Sequence, residues 1–179
     1  PADVMQPGDV YVTNDPWMGT GHLFDFTVVT PVFYKDVLVS LFASTVHVVD
    51  IGGIGFSPDS GQVFEEGLCI PIMPMFSNGK ANEHLFDIVR ANVREPEQVV
   101  GDMYALASSN DVGARRLLGL LRDADMDDLD ELGEHIISTS HRAMAEAISK
   151  LPQGSFENSM TVDGYDMPVE LRAQLQITK

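Results

Sequence analysis

Two copies of the spacing His-x-x-Asp stand near the start of the chain, His22 with Asp25 and His47 with Asp50. The first closes a polar, glycine-rich run, residues 14–21, and the second opens onto Ile51-Gly52-Gly53. Two neutral imidazoles and one carboxylate suit Zn²⁺, Mn²⁺ or Fe²⁺ and leave coordination positions for water or a substrate oxygen. The set that the spacing favours is His22, Asp25 and His47. Asp50 is then either a fourth ligand or an acceptor that fixes the tautomer of one imidazole. The plainer alternative makes these histidines hydrogen-bonded residues at strand ends, in a chain with 27 acidic side chains.

A metal centre needs an element that brings the two histidines together. Residues 27–34 and 37–46 are rich in β-branched and aromatic side chains, and Lys35-Asp36 is the polar break of a β-hairpin between them. With a two-residue turn, a regular ladder sets Asp25 opposite Val46 and Phe24 opposite His47. One bulge along the way would bring Asp25 and His47 face to face, and bulges are common beside active sites. His22 and Asp25 cannot share a face of a regular strand. They belong on the turn entering the hairpin, which Gly19 and Gly21 permit. Pro31 has no N–H for a ladder and points to an edge or a bulge.

The 179 residues suffice for one sizeable domain, alone or with an appended piece, and 44% hydrophobic content is ordinary for a globular chain. A formal net charge of -16 repels a phosphate backbone, which argues against a nucleic-acid partner. The lone Cys69 excludes an internal disulfide and fits a reducing, cytoplasmic setting. No apolar run reaches the roughly 18 residues that span a bilayer, and no secretory signal is visible, so no membrane partner is expected. The chain opens without Met, in what reads as continuing structure, and its last strand runs to Lys179. It is therefore expected to be a fragment of a larger subunit.

Three regions follow from the pattern: a β-rich, site-bearing region over residues 1–80, a helical region over 81–151, and strands over 152–179. The fold class is α+β, with an N-terminal antiparallel hairpin or sheet carrying the site, central helices and C-terminal strands. Glycine and proline recur from residue 50 to 80, an irregular stretch of the sort that builds a site. Glu66 lies in it as a candidate acid–base group. Pro96 starts a long helix that carries Asp102, Asn110, Arg115 and Arg116. These are the candidates for substrate or anion binding, because arginine forks suit planar anions. A further helix carries Leu129, Leu132, Ile136, Ile137, Met144 and Ile148 on an expected buried stripe. Strict alternation from Val169 to Ile177 predicts a half-exposed strand. No phosphate-cradling G-x-x-x-x-G-K-[ST] loop is present, so nucleotide chemistry would need another chain.

Several ordered motifs carry a resemblance: Gly8-Asp9-Val10, Asn14-Asp15-Pro16, Gly21-His22-Leu23-Phe24-Asp25 and His47-x-x-Asp50-Ile51-Gly52-Gly53. Glu66-Gly67-Leu68-x-Ile70-Pro71, Ala91-Asn92-Val93-Arg94 with Pro96-Glu97, Gly101-Asp102 and Val112-Gly113-Ala114-Arg115-Arg116-Leu117 continue the series. Together they resemble the hydantoinase B / oxoprolinase family, which includes the acetone carboxylase alpha subunits. The resemblance implies a hetero-oligomer with a hydantoinase A-type subunit that binds ATP with Mg²⁺. It implies ATP-dependent opening of a cyclic amide, a hydantoin or oxoproline-like lactam, as the small-molecule substrate. The alternatives are carboxylation of acetone or acetophenone, and a non-catalytic scaffold. It also implies a divalent metal on a His-x-x-Asp and a downstream His, positions that match His22, Asp25 and His47. Two departures stand out: Val48 where many relatives carry a second His, and Phe24 where they carry Pro.

Overall fold

The computed structural model describes residues 4–55 and 57–178. They divide into two compact units that part between Asp128 and Leu129. The helical region expected over 81–151 is shared between the units.

The first unit is built on a five-stranded antiparallel sheet. Its strands are β1 (Val10–Thr13), β2 (Asp25–Tyr34), β3 (Val37–His47), β4 (Met73–Ser77) and β5 (Lys80–Ala81), in the spatial order β3-β2-β1-β4-β5. The expected hairpin is β2–β3. Lys35 and Asp36 form its two-residue turn with φ of 49° and 66°, the left-handed pair of a type I′ connection. Other strands are not announced by the sequence pattern. β1 is only 4 residues long, β4 lies inside the stretch expected to be irregular, and β5 straddles its end.

The hairpin register decides where the histidines go. Tyr34 faces Val37 and Phe33 faces Leu38, but Val32 faces Ser40, so Val39 is an extra residue on β3. From there the ladder runs regularly to Asp25 opposite His47. Directly paired residues share a face, and a slip of one residue turns a strand over. The bulge therefore puts Phe42, Ser44 and Val46 on the face of the buried Phe26 and Val28. It leaves Thr45 and His47 on the other face with Asp25. Without it, His47 would point into the core. Pro31 pairs with Leu41 just beside this bulge, beyond the last β2 residue that β1 pairs. Its missing N–H thus interrupts no β1–β2 pair.

Two helices cover the Phe26 face: α2 (Glu83–Asn92), capped by the Asn82 side chain accepting from the Leu85 N–H, and α3 (Pro96–Asp123), with proline in its first turn. Leu85, Phe86 and Val89 of α2 and Val99, Met103 and Leu106 of α3 join Val12, Phe26, Val28 and Met75 in one core. Ile88, which shares the helical spacing, is 49% exposed; Phe86 takes the buried place. Gly113 lets α3 approach β3, because a Cβ there would sit 2.4 Å from the Phe42 ring. A short helix, α1 (Val63–Glu66), lies in the loop between β3 and β4.

The second unit comprises α4 (Asp130–Ser149) and the hairpin of β6 (Gly154–Val162) with β7 (Val169–Ile177). β7 forms over Val169–Ile177 as the sequence predicts, but both of its faces are exposed up to the half-buried Ile177, so the expected half-burial is not met. The expected burial of the α4 stripe is not met: α4 has no buried residue, and Ile136 and Ile137 are 54% and 66% exposed. Periodicity shows which face of a helix is apolar; it does not supply the surface that covers that face.

Candidate metal centre

The β2–β3 register carries Asp25 and His47 to the same end of the same sheet face, and the turn ahead of β2 adds His22. Asp25 Oδ1 lies 3.0 Å from His47 Nδ1 and 3.5 Å from His22 Nδ1. One ligand atom from each of the three falls within 4.8 Å of the others. Ligands about 2.1 Å from one tetrahedral ion are about 3.4 Å apart, so the donor set fits a single divalent cation. The rings of His22 and His47 meet edge to face at 5.1 Å, and Phe24 stacks on His47 at 5.2 Å. Phe24 thus fixes the plane of one imidazole. Val48 points the other way and is fully buried in the core, so a side chain at that position is directed away from the His22–Asp25–His47 cluster.

A buried asparagine holds the turn. The Asn14 side chain, 1% exposed, donates to the carbonyls of Leu23 (2.7 Å) and Leu68 (2.8 Å) and accepts from the Ile70 N–H at 2.6 Å. It joins the end of β1 to the residue after His22 and to the irregular run before β4. In the sequence Asn14 stands inside a motif with no role of its own. Its one signal there is a polar residue between apolar β1 and the glycine-rich run.

Backbone packing places Glu66. Ile54 N–H donates to the Glu65 carbonyl at 3.0 Å and Leu68 N–H to the Ile51 carbonyl at 2.8 Å, zipping the two sides of the loop together. Gly53 (φ 62°) and Gly67 (φ 135°) make this approach feasible, since a Cβ at either would lie under 2.5 Å from a carbonyl oxygen across the zip. The result sets Glu66, Ser57 and Gly55 around a small cavity of about 100 Å³ together with His22 and Phe24.

The remaining candidates go elsewhere. Asp50, 5% exposed, receives the Arg94 backbone N–H, Nε at 2.9 Å and a terminal guanidinium nitrogen, and the Gly52 N–H at 3.3 Å. Its carboxylate anchors the loop to the end of α2 and is absent from the His22–Asp25–His47 cluster. The Arg94 guanidinium holds the Asp50 carboxyl below the usual carboxylate range. A depressed carboxyl stabilises the fold above its unfolded-state titration, near pH 4, and that contribution is lost as pH falls through the folded-state value. Asp50→Asn is expected to flatten the acid limb of a stability–pH curve below about pH 4 and to lower Tm at neutral pH by about 3–6 °C. An unchanged acid limb in thermal melts would refute this. Asn110, 2% exposed, donates its amide to the Val28 and Phe42 carbonyls at 3.0 and 3.2 Å, clamping α3 onto the hairpin. It was a candidate for substrate binding; its amide is committed inside the core. Arg115 pairs with Asp111 at 2.9 Å on the outside of α3, Arg116 beside it is exposed, and Asp102 is half-buried.

The first unit is thus a sheet backed by two helices, with His22, Asp25 and His47 gathered on its open face. The chain belongs to the Hydantoinase B/oxoprolinase family, whose sequence profile matches residues 2–179. It is 32% identical over 183 residues to the D-/L-hydantoinase B-type protein of Pseudomonas sp. (strain NS671), covering 98% of this chain and 31% of that one. The crystal structure of ATP-dependent caprolactamase from Pseudomonas jessenii matches with a TM-score of 0.88 at 27% identity, over 99% of this chain and 32% of that one. The nucleotide-free acetone carboxylase structure shares the fold, with a TM-score of 0.74 at 16% identity over 93% of this chain and 24% of that one. The chain spans about a third of the length of these two Pseudomonas relatives. Among the described residues no helix is long and apolar enough to cross a membrane.

Proposed function

We propose that this chain is the metal-holding part of the B-type subunit of an ATP-dependent cyclic-amide hydrolase, which opens a hydantoin or lactam ring together with an ATP-binding partner. The observation that carries the proposal is the convergence of His22, Asp25 and His47, in a chain whose full length fits the Hydantoinase B/oxoprolinase family. A divalent cation held there would act as a Lewis acid toward the amide carbonyl. The chain itself contributes the three ligands, the Phe24 ring that orients His47, and Glu66, which lines the same cavity as His22 and is assigned the handling of a proton there.

The test is reconstitution with a hydantoinase A-type subunit. Expected is ring opening of a hydantoin or lactam that depends on ATP and is lost when His22 and His47 are alanine. ATP-dependent uptake of bicarbonate into acetone or acetophenone, without ring opening, would overturn the hydrolase reading in favour of a carboxylase. Full ring opening with both histidines replaced would overturn the metal's part in it.

A further inference from the structure

The open face of the sheet continues beyond the metal cluster. On β2, Asp25, Thr27 and Val29 share this face, opposite the buried Phe26 and Val28. Their neighbours are His47, Thr45 and Ala43 on β3, and Thr27 and Val29 also face Thr13 and Tyr11 on β1. Thr27 and Thr45 bridge the strands through their hydroxyls at 2.9 Å, one step along from the Asp25–His47 pair. From there a cavity of about 360 Å³ opens, walled by Tyr11, Thr27 and Val29 and flanked by Met5, Met18 and Ile72. Met18 belongs to the loop that leads into His22. Among the described residues lining this cavity none is charged.

We infer that this cavity seats the ring of the substrate, and that the ring it takes is neutral: a lactam or hydantoin with an uncharged body, not a ring bearing a carboxylate as 5-oxoproline does. The inference rests on the metal-centred reading above and narrows its substrate. Position is the first argument. Thr27 lies two residues from Asp25 on one strand face, about 7 Å, so a small ring against Thr27 and Val29 brings an amide carbonyl to the cluster. Size agrees, since a few hundred Å³ is the lower range of small-molecule sites. Charge decides the class. A carboxylate seated against these walls has no charged side chain to pair with among the described lining residues, and an unpaired charge taken from water is costly. Tyr11 turns its hydroxyl to the Asp9 carboxylate at 3.2 Å, so the formal charge behind that wall is negative and repels an anion further. Arg94 and Arg115 are occupied by Asp50 and Asp111.

The experiment is titration of the 179-residue chain with caprolactam and with 5-oxoproline, followed by calorimetry and by the fluorescence of Trp17. Trp17 is the only tryptophan and adjoins Met18, so its emission reports locally. Expected is caprolactam binding at least about tenfold tighter than 5-oxoproline. Val29→Lys is expected to reverse that preference with metal content unchanged, and Ile72→Lys, at a position already 57% exposed, serves if Val29→Lys fails to fold. Equal affinity for the two ligands, a preference for 5-oxoproline, no binding of either, or indifference to the introduced lysine would each overturn the assignment. Elemental analysis of the same samples separates the two readings. A chain that discriminates as expected but holds no metal sinks the metal reading, and with it the placement of the carbonyl, and leaves the cavity's preference for a neutral ring. One that holds metal without discriminating sinks this one alone.

Discussion

Replacing either His22 or His47 by alanine is expected to strip the chain of a divalent cation that the wild-type chain retains at close to one per molecule. The three ligand atoms are already within 4.8 Å of one another, so binding requires little ordering of the protein, and each ligand contributes a large share of the affinity. Losing a residue that merely orients a ligand costs about ten- to a hundredfold, so losing a ligand is expected to cost at least about a hundredfold. The fold should survive. The His22 and His47 side chains are 37% and 48% exposed, and surface substitutions outside the core usually change stability by under about 0.5 kcal/mol. The contrast is with Asp50→Asn, which should keep its metal while losing acid-dependent stability, because that carboxylate is bound by Arg94. Elemental analysis with thermal melts reads all three. A wild-type chain that is folded and metal-free, or a His22→Ala chain that keeps its metal, would remove the centre from consideration.

The gathering of His22, Asp25 and His47 is largely legible in the sequence, and the reason is local. A two-residue polar break between two β-rich runs fixes a hairpin, and a hairpin fixes which residues can meet to within one position. The remaining position depended on a bulge at Val39, which no local propensity announces. Phe26 and Val28 needed Phe42 and Val46 beside them on the helix-covered face, and that tertiary demand turned His47 outward. Asp50 was misplaced for the opposite reason. Its partner Arg94 lies 44 residues away, and nothing in the His47-x-x-Asp50 spacing distinguishes a ligand from an anchor. Glu66 reached His22 through backbone contacts between glycines, which a sequence shows only as flexibility. Asn110 reads as one more polar residue on a long helix until the sheet beneath it is known.

Asn14→Ala is expected to be among the most damaging single substitutions in the chain, although Asn14 touches none of the proposed ligands. Removing its amide leaves the Leu23 and Leu68 carbonyls and the Ile70 N–H without their side-chain partner. Each buried polar group left unsatisfied costs about 1–3 kcal/mol, so a loss of about 3 kcal/mol follows even if one of the three recovers a water. Asn14→Asp should do no better. It keeps an acceptor for Ile70 and sets a second oxygen against two carbonyls, a repulsion in a site only 1% exposed. The loss should reach the metal as well, because Leu23 follows His22 directly and its carbonyl is one of the tethers of that turn. Denaturant unfolding is expected to show the lower midpoint, and metal titration of the still-folded protein a weaker site, with His47 and Asp25 in place. If the variant melts like the wild type, the asparagine is not what holds the turn. If it loses stability but binds metal undiminished, the His22 turn is held by its own glycine-rich geometry instead.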